Sequence, residues 1–540
     1  MPTKYIVVLG SLLSGIGKGV VSASIAKILT LYNYNVMPMK FDGYLNYDCG
    51  TINPFKHGEV FVLEDGGEVD MDFGTYERFI NKNILSDFSL TGGKLFSGII
   101  KKERRGDYLG SDVQIIPHLT NLIIENLKEL SKKNNLDILI IEVGGTIGDL
   151  ENGYFIEAMR QLSLKEKVVF IDVTYIPELK KVGEQKTKPT QLALRKLMEL
   201  GINPNYIVCR SENPLNKSIK QKIAFFANID ENAVIDNHDI DNIYEVPLKF
   251  LEQNFDKLLL NDLGLNNNAI NEKYLYDWKE IVNKSKKDKN KKDINIAVVG
   301  KYINLKDSYA SVKEALVHSA NKLNINLNIG WIESEEFEGE NYKDRLSALN
   351  EYDGILVPGG FGSRGINGMI NAIEYARVNK KPYLGLCLGM QLMTIEYARN
   401  VCGLTDANSS EFNENAKYKV IDLMSEQKNI VNKGATMRLG AWEALIKEGT
   451  ATYDAYKTNK VYERHRHRYE FNNEYRELFA EKGLIISGTT IDGNLVEFIE
   501  WKDSFGIGTQ AHPEFKSRPE NPSPLFVKFL NETIKNKIKE

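Results

Sequence analysis

A glycine-rich stretch close to the N-terminus, Gly10–Gly19, constrains the fold of this chain more than any other feature. It follows the apolar run Tyr5–Leu9 and precedes the apolar-periodic segment Val20–Leu31, so the pattern predicts a strand, a turn and a helix. Backbone N–H groups, the positive end of the helix dipole and the charge of Lys18 favour phosphate binding there. A tight strand-to-helix turn without a ligand is the alternative, because glycine turns are common in α/β folds.

The stretch departs from the strict phosphate-loop pattern G-x-x-x-x-G-K-[ST]. Leu12 stands at the first glycine position and Gly19 at the hydroxyl position. Without that hydroxyl, Mg²⁺ would need other ligands. Glu142 is well placed to be one, because it lies near the end of the predicted strand Ile138–Val143, and Asp72 is a second candidate. Taken alone, each carboxylate is better explained as a solvated surface group, and only the phosphate loop without its hydroxyl reverses that preference.

The length of 540 residues predicts two large domains. Apolar runs alternate with helical patterns in the first half, which is typical of a parallel sheet. The candidate strands are Tyr5–Leu9, Val36–Phe41, Ile138–Val143, Val168–Val173 and Tyr206–Cys209. Periodicity fades from about Asn266, and a new α/β pattern begins at Asn295–Gly300. The expected organisation is a domain over 1–265, a linker over 266–293 and a domain over 294–540.

Six lysines between Lys284 and Lys292 indicate a solvated linker in preference to a binding tail. Hydrophobic residues make up 42% and charged residues 26% of the chain, as in an ordinary water-soluble protein. The net charge of −4 argues against a general nucleic-acid binder. We expect no membrane segment and no signal peptide, and therefore a cytoplasmic location. The four cysteines lack metal-type or disulfide-framework spacing.

The segment Gly385–Gly389 carries a G-x-C-x-G pattern between an apolar run and the predicted helix Met390–Ala398. Flanking glycines permit a sharp turn that exposes Cys387, and the helix dipole favours its thiolate. A buried structural cysteine is the alternative. His512 and Glu514, on a segment predicted to be extended, supply a base and its orienting group.

Backbone N–H groups of Val357–Gly362 could form an oxyanion hole. These three motifs, in this order, resemble the class I (triad) glutamine amidotransferases, over roughly Asn295 to the C-terminus. The resemblance implies that Cys387 is the nucleophile, His512 the base and Glu514 its orienter. It also implies that the glutamine is held by Gly360, Cys387, Leu388, Gly389, Met390, Gln391, Glu411 and Arg468.

The first half holds further chemistry in its loops. Gly148–Glu151 places two acids just beyond Glu142. Lys186–Gln191 packs two lysines, two hydroxyls and an amide into six residues, which indicates a site for an anionic ligand. Lys40, at the end of the second predicted strand, could contact a transferring phosphoryl group, although alone it is only a loop lysine.

Several long segments are similar to those of the CTP synthase family, in order and over nearly the whole chain. They are Ser14–Gly19, His57–Val62, Lys102–Gly110, Lys186–Gln191, Pro358–Gly365, Gly434–Gly440 and Arg464–Glu470. Ser11 is a departure, because the family often has a second glycine there. The resemblance implies an N-terminal P-loop-like (dethiobiotin-synthetase-like) parallel-sheet domain and a C-terminal flavodoxin-like glutamine amidotransferase domain, both of α/β class.

The family aminates UTP to CTP with ammonia from glutamine, after ATP phosphorylates O4 of UTP. By resemblance, Lys18 and Lys40 are catalytic, and Asp72 and Glu142 hold Mg²⁺. The implied ATP contacts are Gly15, Ile16, Gly17, Lys18, Gly19, Val20, Asp72 and Ile240. The implied UTP and CTP contacts are Ser14, Asp149, Leu150, Glu151, Lys186, Thr187, Lys188, Pro189, Thr190, Gln191 and Lys222.

The resemblance also implies activation by GTP, a homotetramer that could extend into filaments, and an internal passage for ammonia. Asp307–Tyr309 is the region where we expect coupling to GTP. Two alternatives stay open. Another ATP-dependent amidotransferase should lack the segments Lys102–Gly110 and Lys186–Gln191, whereas a regulatory or filament-forming protein with a vestigial glutaminase should carry a degenerate triad.

Overall fold

The computed structural model describes residues 2–53, 58–179, 183–265, 268–303, 305–424 and 434–539. His57, which belongs to one of the family-like segments, lies outside them. The chain divides into two compact units: Met1–Asp48 with Thr75–Asn283, and Cys49–Gly74 with Lys284–Glu540. The predicted domain limits at 265 and 294 stay a sequence-based proposal. The second unit also includes Cys49–Gly74, from the N-terminal part of the chain.

Strands alternate with helices along the described residues. Strands β1–β23 are Lys4–Gly10, Val36–Asp42, Phe61–Val62, Glu68–Val69, Ser89–Thr91, Ile138–Val143, Val168–Tyr175, Glu178–Leu179, Glu184–Gln185, Tyr206–Ser211, Val234–His238, Asp293–Gly300, Asn326–Glu333, Gly354–Val357, Tyr383–Leu386, Ala407–Ser409, Tyr418–Leu423, Arg438–Ile446, Lys460–His467, Tyr469–Phe471, Leu484–Thr489, Val496–Trp501 and Gly506–Thr509. Helices α1–α17 are Lys18–Leu31, Asp72–Ile80, Gly92–Arg105, Thr120–Lys133, Gly153–Ser163, Lys188–Glu199, Lys217–Ala227, Val246–Glu252, Phe255–Leu263, Glu272–Lys284, Ala310–Leu323, Tyr342–Leu346, Ile366–Val378, Leu388–Asn400, Ala451–Tyr456, Arg476–Glu481 and Pro524–Lys539.

The first unit is built on a parallel sheet with strand order β11-β10-β7-β1-β6-β2-β5 in the described residues. Its central strands are continuous apolar runs that are buried on both faces, as parallel strands require. Because all strands run the same way, their carboxyl ends lie along one edge, where ligands bind in open α/β sheets. The predicted α/β class and all five candidate strands are confirmed.

Part of the expected linker is a helix of the first unit. Helix α10 buries Trp278 completely, and the indole N–H donates to the carbonyl oxygen of Tyr244 at 2.9 Å. The ammonium of Lys27 lies 4.0 Å from the indole ring centroid. The apolar contacts and the hydrogen bond of Trp278 therefore hold α10 against the first unit.

The second unit contains a mixed sheet with strand order β13-β12-β14-β15-β23-β22-β21-β18-β19 in the described residues. Its first five strands in this order, β13, β12, β14, β15 and β23, pair in parallel. The other four, β22, β21, β18 and β19, extend the sheet in antiparallel fashion. Apolar cores cover both faces. The parallel part places the ends of β14, β15 and β23 side by side.

The segment Cys49–Gly74 packs within this second unit. Its short hairpin β3–β4 carries Phe61, whose ring lies 5.1 Å from that of Phe515. The guanidinium of Arg464 donates to the carbonyl oxygen of Val62 and to Glu64 Oε2, both at 3.0 Å. Apolar and charge-assisted contacts together hold the segment against β19.

Over the residues that the structure describes, no helix combines the length and the apolar character needed to cross a membrane.

Candidate active sites

Cys387 occupies a sharp turn between β15 and α14. Its backbone has φ 48° and ψ −97°, which is strained for a residue with a side chain. A Cβ added to Gly385 would lie 2.7 Å from the carbonyl carbon of Gly389, and one on Gly389 would lie 2.2 Å from the oxygen of Val357. Both flanking glycines are therefore required by close backbone contacts, and the cysteine stands at the N-terminus of α14.

His512 and Glu514 form a buried pair beside this cysteine. His512 Nδ1 lies 2.7 Å from Glu514 Oε1. Burial alone lowers the pKa of the His512 imidazole, but Glu514 and Cys387 outweigh that effect and raise the pKa to about 10. A charged imidazole between a carboxylate and a thiol is the arrangement that activates a cysteine nucleophile.

The backbone around this pair differs from the extended segment that the sequence predicts. His512 precedes a short 3₁₀ turn, Pro513–Lys516. The proline is suited to the first position of such a turn, because its φ is fixed and it has no N–H to leave unpaired. The prediction of an extended backbone is therefore wrong, although the two side chains still meet.

The loop after β14 lies against the imidazole. A Cβ on Gly359 would stand 2.7 Å from His512 Cε1, so only glycine fits there. The ammonium of Lys301, at the end of β12, donates to the carbonyl oxygens of Phe361 at 3.2 Å and Gly362 at 2.5 Å. The N–H of Phe361 donates to the Tyr302 hydroxyl at 3.0 Å, and the N–H of Gly362 donates to Glu411. The loop N–H groups of interest for an oxyanion are therefore those of Gly359 and Gly360.

The sequence prediction did not include Lys301. Burial lowers its pKa to about 8, partly opposed by the charge of Glu411. Glu411 accepts the N–H of Gly362 at 2.9 Å, so it also stabilises this loop. In the sequence, the feature that could have indicated this residue is a lysine directly after a predicted apolar strand.

A small cavity lies next to the cysteine and the histidine, and all of its lining residues belong to the second unit. Its lining includes Cys387, His512 and Gly360, together with Glu59 and Val60 from the Cys49–Gly74 segment. The carboxylate of Glu59 accepts the N–H of Ser311 (3.2 Å) and its hydroxyl (2.5 Å), near the start of α11. Ser308 and Tyr309, which the sequence analysis linked to GTP, also line this cavity.

The other residues predicted to hold glutamine differ from one another in burial and in hydrogen-bond partners. Leu388 and Met390 are buried in the apolar core, so only their backbone groups can face a ligand. Gln391 donates to the carbonyl oxygen of Tyr469 at 3.0 Å. Arg468 donates to the hydroxyl of Thr436 at 3.0 Å, and burial lowers its pKa.

The glycine-rich loop of the first unit begins at the carboxyl end of β1. Gly15 and Gly17 have φ 73° and 89°, which favour glycine, and Gly17 caps α1. The ammonium of Lys18 donates to the carbonyl oxygen of Gly145 at 2.6 Å. A Cβ on Gly10 would lie 2.7 Å from that ammonium, so the lysine folds back over the start of the loop.

Beneath the loop lies a carboxylate that the sequence prediction omitted. Asp172, on β7, is fully buried and accepts the hydroxyl of Ser11 at 2.6 and 2.5 Å. Burial raises its pKa to about 7, while Ser11 and the charge of Lys18 oppose the rise. The departure at Ser11 is thus explained, because the hydroxyl satisfies an acid within the apolar run Val168–Val173.

Glu142 and Lys40 lie opposite each other on β6 and β2. Both are buried, the hydroxyl of Tyr76 donates to Glu142, and the Lys40 ammonium lies 3.9 Å from Asp42 Oδ1. Among the described residues, no group of three or more His, Cys, Asp or Glu is placed to hold a metal ion. Mg²⁺ commonly uses one or two carboxylates plus substrate phosphates, so the oxygen donors at this edge fit it.

Most of the predicted UTP residues follow β6 or β9, whereas Ser14 follows β1 and Lys222 lies on α7. Asp149 accepts the N–H of Thr146 at 2.6 Å and its hydroxyl at 2.9 Å, while Leu150 is 90% exposed. Thr190 is buried, and its hydroxyl lies 3.1 Å from that of Thr174, so its side chain points into the unit. The exposed members of the predicted nucleotide set are Ser14, Gly15, Leu150, Glu151, Lys188 and Lys222.

Ile240 follows β11, and Asp72 belongs to the second unit. Their roles in binding nucleotide and metal stay sequence-based predictions.

Two family models match the chain. Residues 4–265 match "CTP synthase N-terminus", and residues 304–532 match "Glutamine amidotransferase class-I". A CTP synthase from Carboxydothermus hydrogenoformans is 51% identical, over 99% of this chain and all of its own length. A CTP synthase from Bacillus subtilis is 47% identical, over 98% of this chain and 99% of its own.

A solved structure, the glutaminase domain of a Trypanosoma brucei CTPS with bound acivicin, is similar to part of the chain. The sequence identity is 41%, and the match covers 45% of this chain and 94% of that one, with a TM-score of 0.43.

Proposed function

The chain belongs to the CTP synthase family, and on that premise we propose how its residues divide the reaction. The enzyme aminates UTP to CTP in an ATP-dependent reaction of pyrimidine nucleotide synthesis, with glutamine as the nitrogen donor. The observation that supports the residue assignment best is the Cys387–His512–Glu514 arrangement at a strained elbow. A vestigial glutaminase would have no need of that strain.

Glutamine hydrolysis is assigned to the second unit. The Cys387 thiolate attacks the side-chain amide carbon of glutamine, and backbone N–H groups of Gly359, Gly360 and α14 stabilise the oxyanion. His512 gives its proton to the departing ammonia, leaving a thioester on Cys387. Water, deprotonated by His512, then hydrolyses the thioester to glutamate. Glu514 keeps the imidazole oriented and charged.

Around the carbonyl, glutamine is proposed to contact Gly360, Leu388, Gly389, Met390 and Gln391, with Met390 acting through its backbone. Glu411 and Arg468 offer the complementary charges for the ammonium and carboxylate of a free amino acid.

Phosphoryl transfer and amination are assigned to the carboxyl edge of the first unit. The loop amides Gly15–Val20 and Lys18 hold the ATP phosphates, and Lys40 stabilises the phosphoryl group as it passes to O4 of UTP. Ammonia then attacks C4, and the phosphate leaves with its oxygen. Glu142 would hold Mg²⁺, which supplies neutralisation of phosphate charge when bound, and the family resemblance is the support for Asp72 as a further ligand.

The uracil nucleotide is assigned to loops along the same edge and to helices α6 and α7. The residues proposed to contact it are Ser14, Asp149, Leu150, Glu151, Lys186, Thr187, Lys188, Pro189, Thr190, Gln191 and Lys222, and product CTP would share part of this set. Ile240 is proposed to contact adenine. The buried Thr190 serves the local fold, so its neighbours make the direct contacts.

Activation by GTP, assembly to a homotetramer or filaments, and a cytoplasmic location complete the proposal. Family membership supports each of them. The position of Ser308 and Tyr309 in the wall of the glutaminase cavity adds a physical reason to seek GTP coupling there.

The test is product formation by the purified chain. We expect CTP from UTP, ATP and Mg²⁺ with either glutamine or ammonium, and glutamate in step with CTP when glutamine is the donor. A regulatory protein with an inactive glutaminase would release no glutamate, and that result would overturn the proposal.

A further inference from the structure

Gln510 is a fully buried amide that lies two residues before the catalytic histidine. It follows β23, and its backbone N–H donates to the carbonyl oxygen of Glu497 at 3.0 Å. Its side-chain nitrogen lies 3.6 Å from Cys387 Sγ, within hydrogen-bond range for sulfur. The triad mechanism above gives this amide no task.

A chain of hydrogen bonds fixes which end of the amide faces the sulfur. Gln391 Nε2 donates to the carbonyl oxygen of Tyr469 at 3.0 Å, and a carbonyl can only accept. The same nitrogen lies 3.3 Å from Gln510 Oε1, so that oxygen faces Gln391. The N–H₂ end of Gln510 therefore has to point at Cys387.

A buried N–H donor beside sulfur favours the thiolate over the neutral thiol. Hydrogen bonds to an ionised acceptor are stronger than those to a neutral one, and burial strengthens them further. The thioester sulfur carries no charge, so the same donor stabilises Cys387 both as the attacking group and as the leaving group of thioester hydrolysis.

We propose that Gln510 is a further catalytic residue that donates a hydrogen bond to the Cys387 thiolate, and that Gln391 is the positioning residue that orients it. Gln391, which lies on α14 one turn after the cysteine, thus acts on the sulfur in addition to the glutamine contact proposed above. The inference rests on the proposed role of Cys387 as nucleophile.

The test measures alkylation of Cys387 by iodoacetamide as a function of pH, with the site of modification identified by mass spectrometry. It requires no glutamine, so effects on substrate binding do not enter. We expect Gln510→Met, which keeps the length but has no donor, to slow alkylation near neutral pH by about tenfold or more. The pH midpoint should move upward and the high-pH plateau should be retained.

Gln510→Glu should move the midpoint further, because it places a negative charge against the thiolate. Gln391→Met should move it in the same direction by a smaller amount. A rate lowered equally at every pH would indicate structural damage and would overturn the inference, as would an unchanged midpoint in both Gln510 variants.

Failure of the proposed function has a different signature. If the wild-type chain shows no preferential alkylation of Cys387 over its other cysteines, the nucleophile assignment is wrong. If Cys387 is preferred but the Gln510 variants behave like the wild type, only the role of Gln510 is overturned.

Discussion

The Ser11 hydroxyl donates to both carboxylate oxygens of Asp172, at distances of 2.6 and 2.5 Å. The pair joins β1 to β7 directly beneath the glycine-rich loop that carries Lys18. An acid buried at this position has a pKa raised to about 7, so its charge changes in the range where the enzyme is expected to work.

Replacing this acid should alter how stability depends on pH. The pKa of Asp172 is raised in the folded chain, so the folded state binds the proton more tightly than the unfolded state. Its contribution to stability therefore declines as pH rises from about 4 to about 7 and is level above that. Asp172→Asn removes the decline, so its melting temperature relative to the wild type should increase between pH 5 and pH 8. A difference that is flat with pH would contradict the assignment.

Lys18→Ala should stop CTP formation from either nitrogen source, because the ATP phosphates lose their charge partner in the loop. We expect a fall of about a hundredfold or more in both rates. Glutamate release measured without nucleotides should be unaffected, since that chemistry lies in the second unit. Lys128→Ala, a surface lysine paired with Glu166, is the matched control and should keep both activities.

Glu514→Gln keeps the shape of the His512 partner but removes its charge. The pKa of His512 should fall from about 10, so the alkaline limb of glutaminase activity should move to lower pH. At neutral pH the glutaminase rate should drop by about a hundredfold or more, while ammonia-dependent synthesis persists. A full-rate glutaminase with an unshifted pH profile would remove Glu514 from the mechanism.

Gly359→Ala should disable the glutaminase through a steric clash alone. The added Cβ would stand 2.7 Å from His512 Cε1, a separation that Cβ contacts do not tolerate. Gly153→Ala, where a Cβ meets nothing within 4 Å, is the control and should retain glutaminase activity. Glutamate release is the measurement, and an active Gly359→Ala variant would show that the imidazole has room to move.

The sequence alone identifies the residues that carry the chemistry of this chain better than it identifies how distant segments of the chain pack together. Cys387 and Lys18 could be identified because their loops need glycines at particular positions, and those needs are local. The surroundings of Glu59 could not be predicted, because its segment belongs to the second unit although it precedes most of the first along the chain.

Two other features could not be predicted from the sequence, each for a physical reason. The many lysines near Trp278 make the sequence of α10 look like a solvated linker, although the helix has an apolar face. Asp172 stands within an apolar run whose periodicity is that of a buried strand, and only a partner hydroxyl on a distant part of the chain explains it. The sequence feature that could have indicated this acid is an aspartate inside an otherwise apolar run.

The division of labour between the two units is the central claim, and Cys387→Ala tests it most directly. CTP formation should be measured in one preparation with saturating glutamine and with ammonium, beside Cys402→Ala as a control thiol outside the site. We expect glutamine-dependent synthesis to fall below about a thousandth of the wild-type rate, with ammonia-dependent synthesis within about twofold of it. Equal loss of both activities in a folded protein would contradict the account.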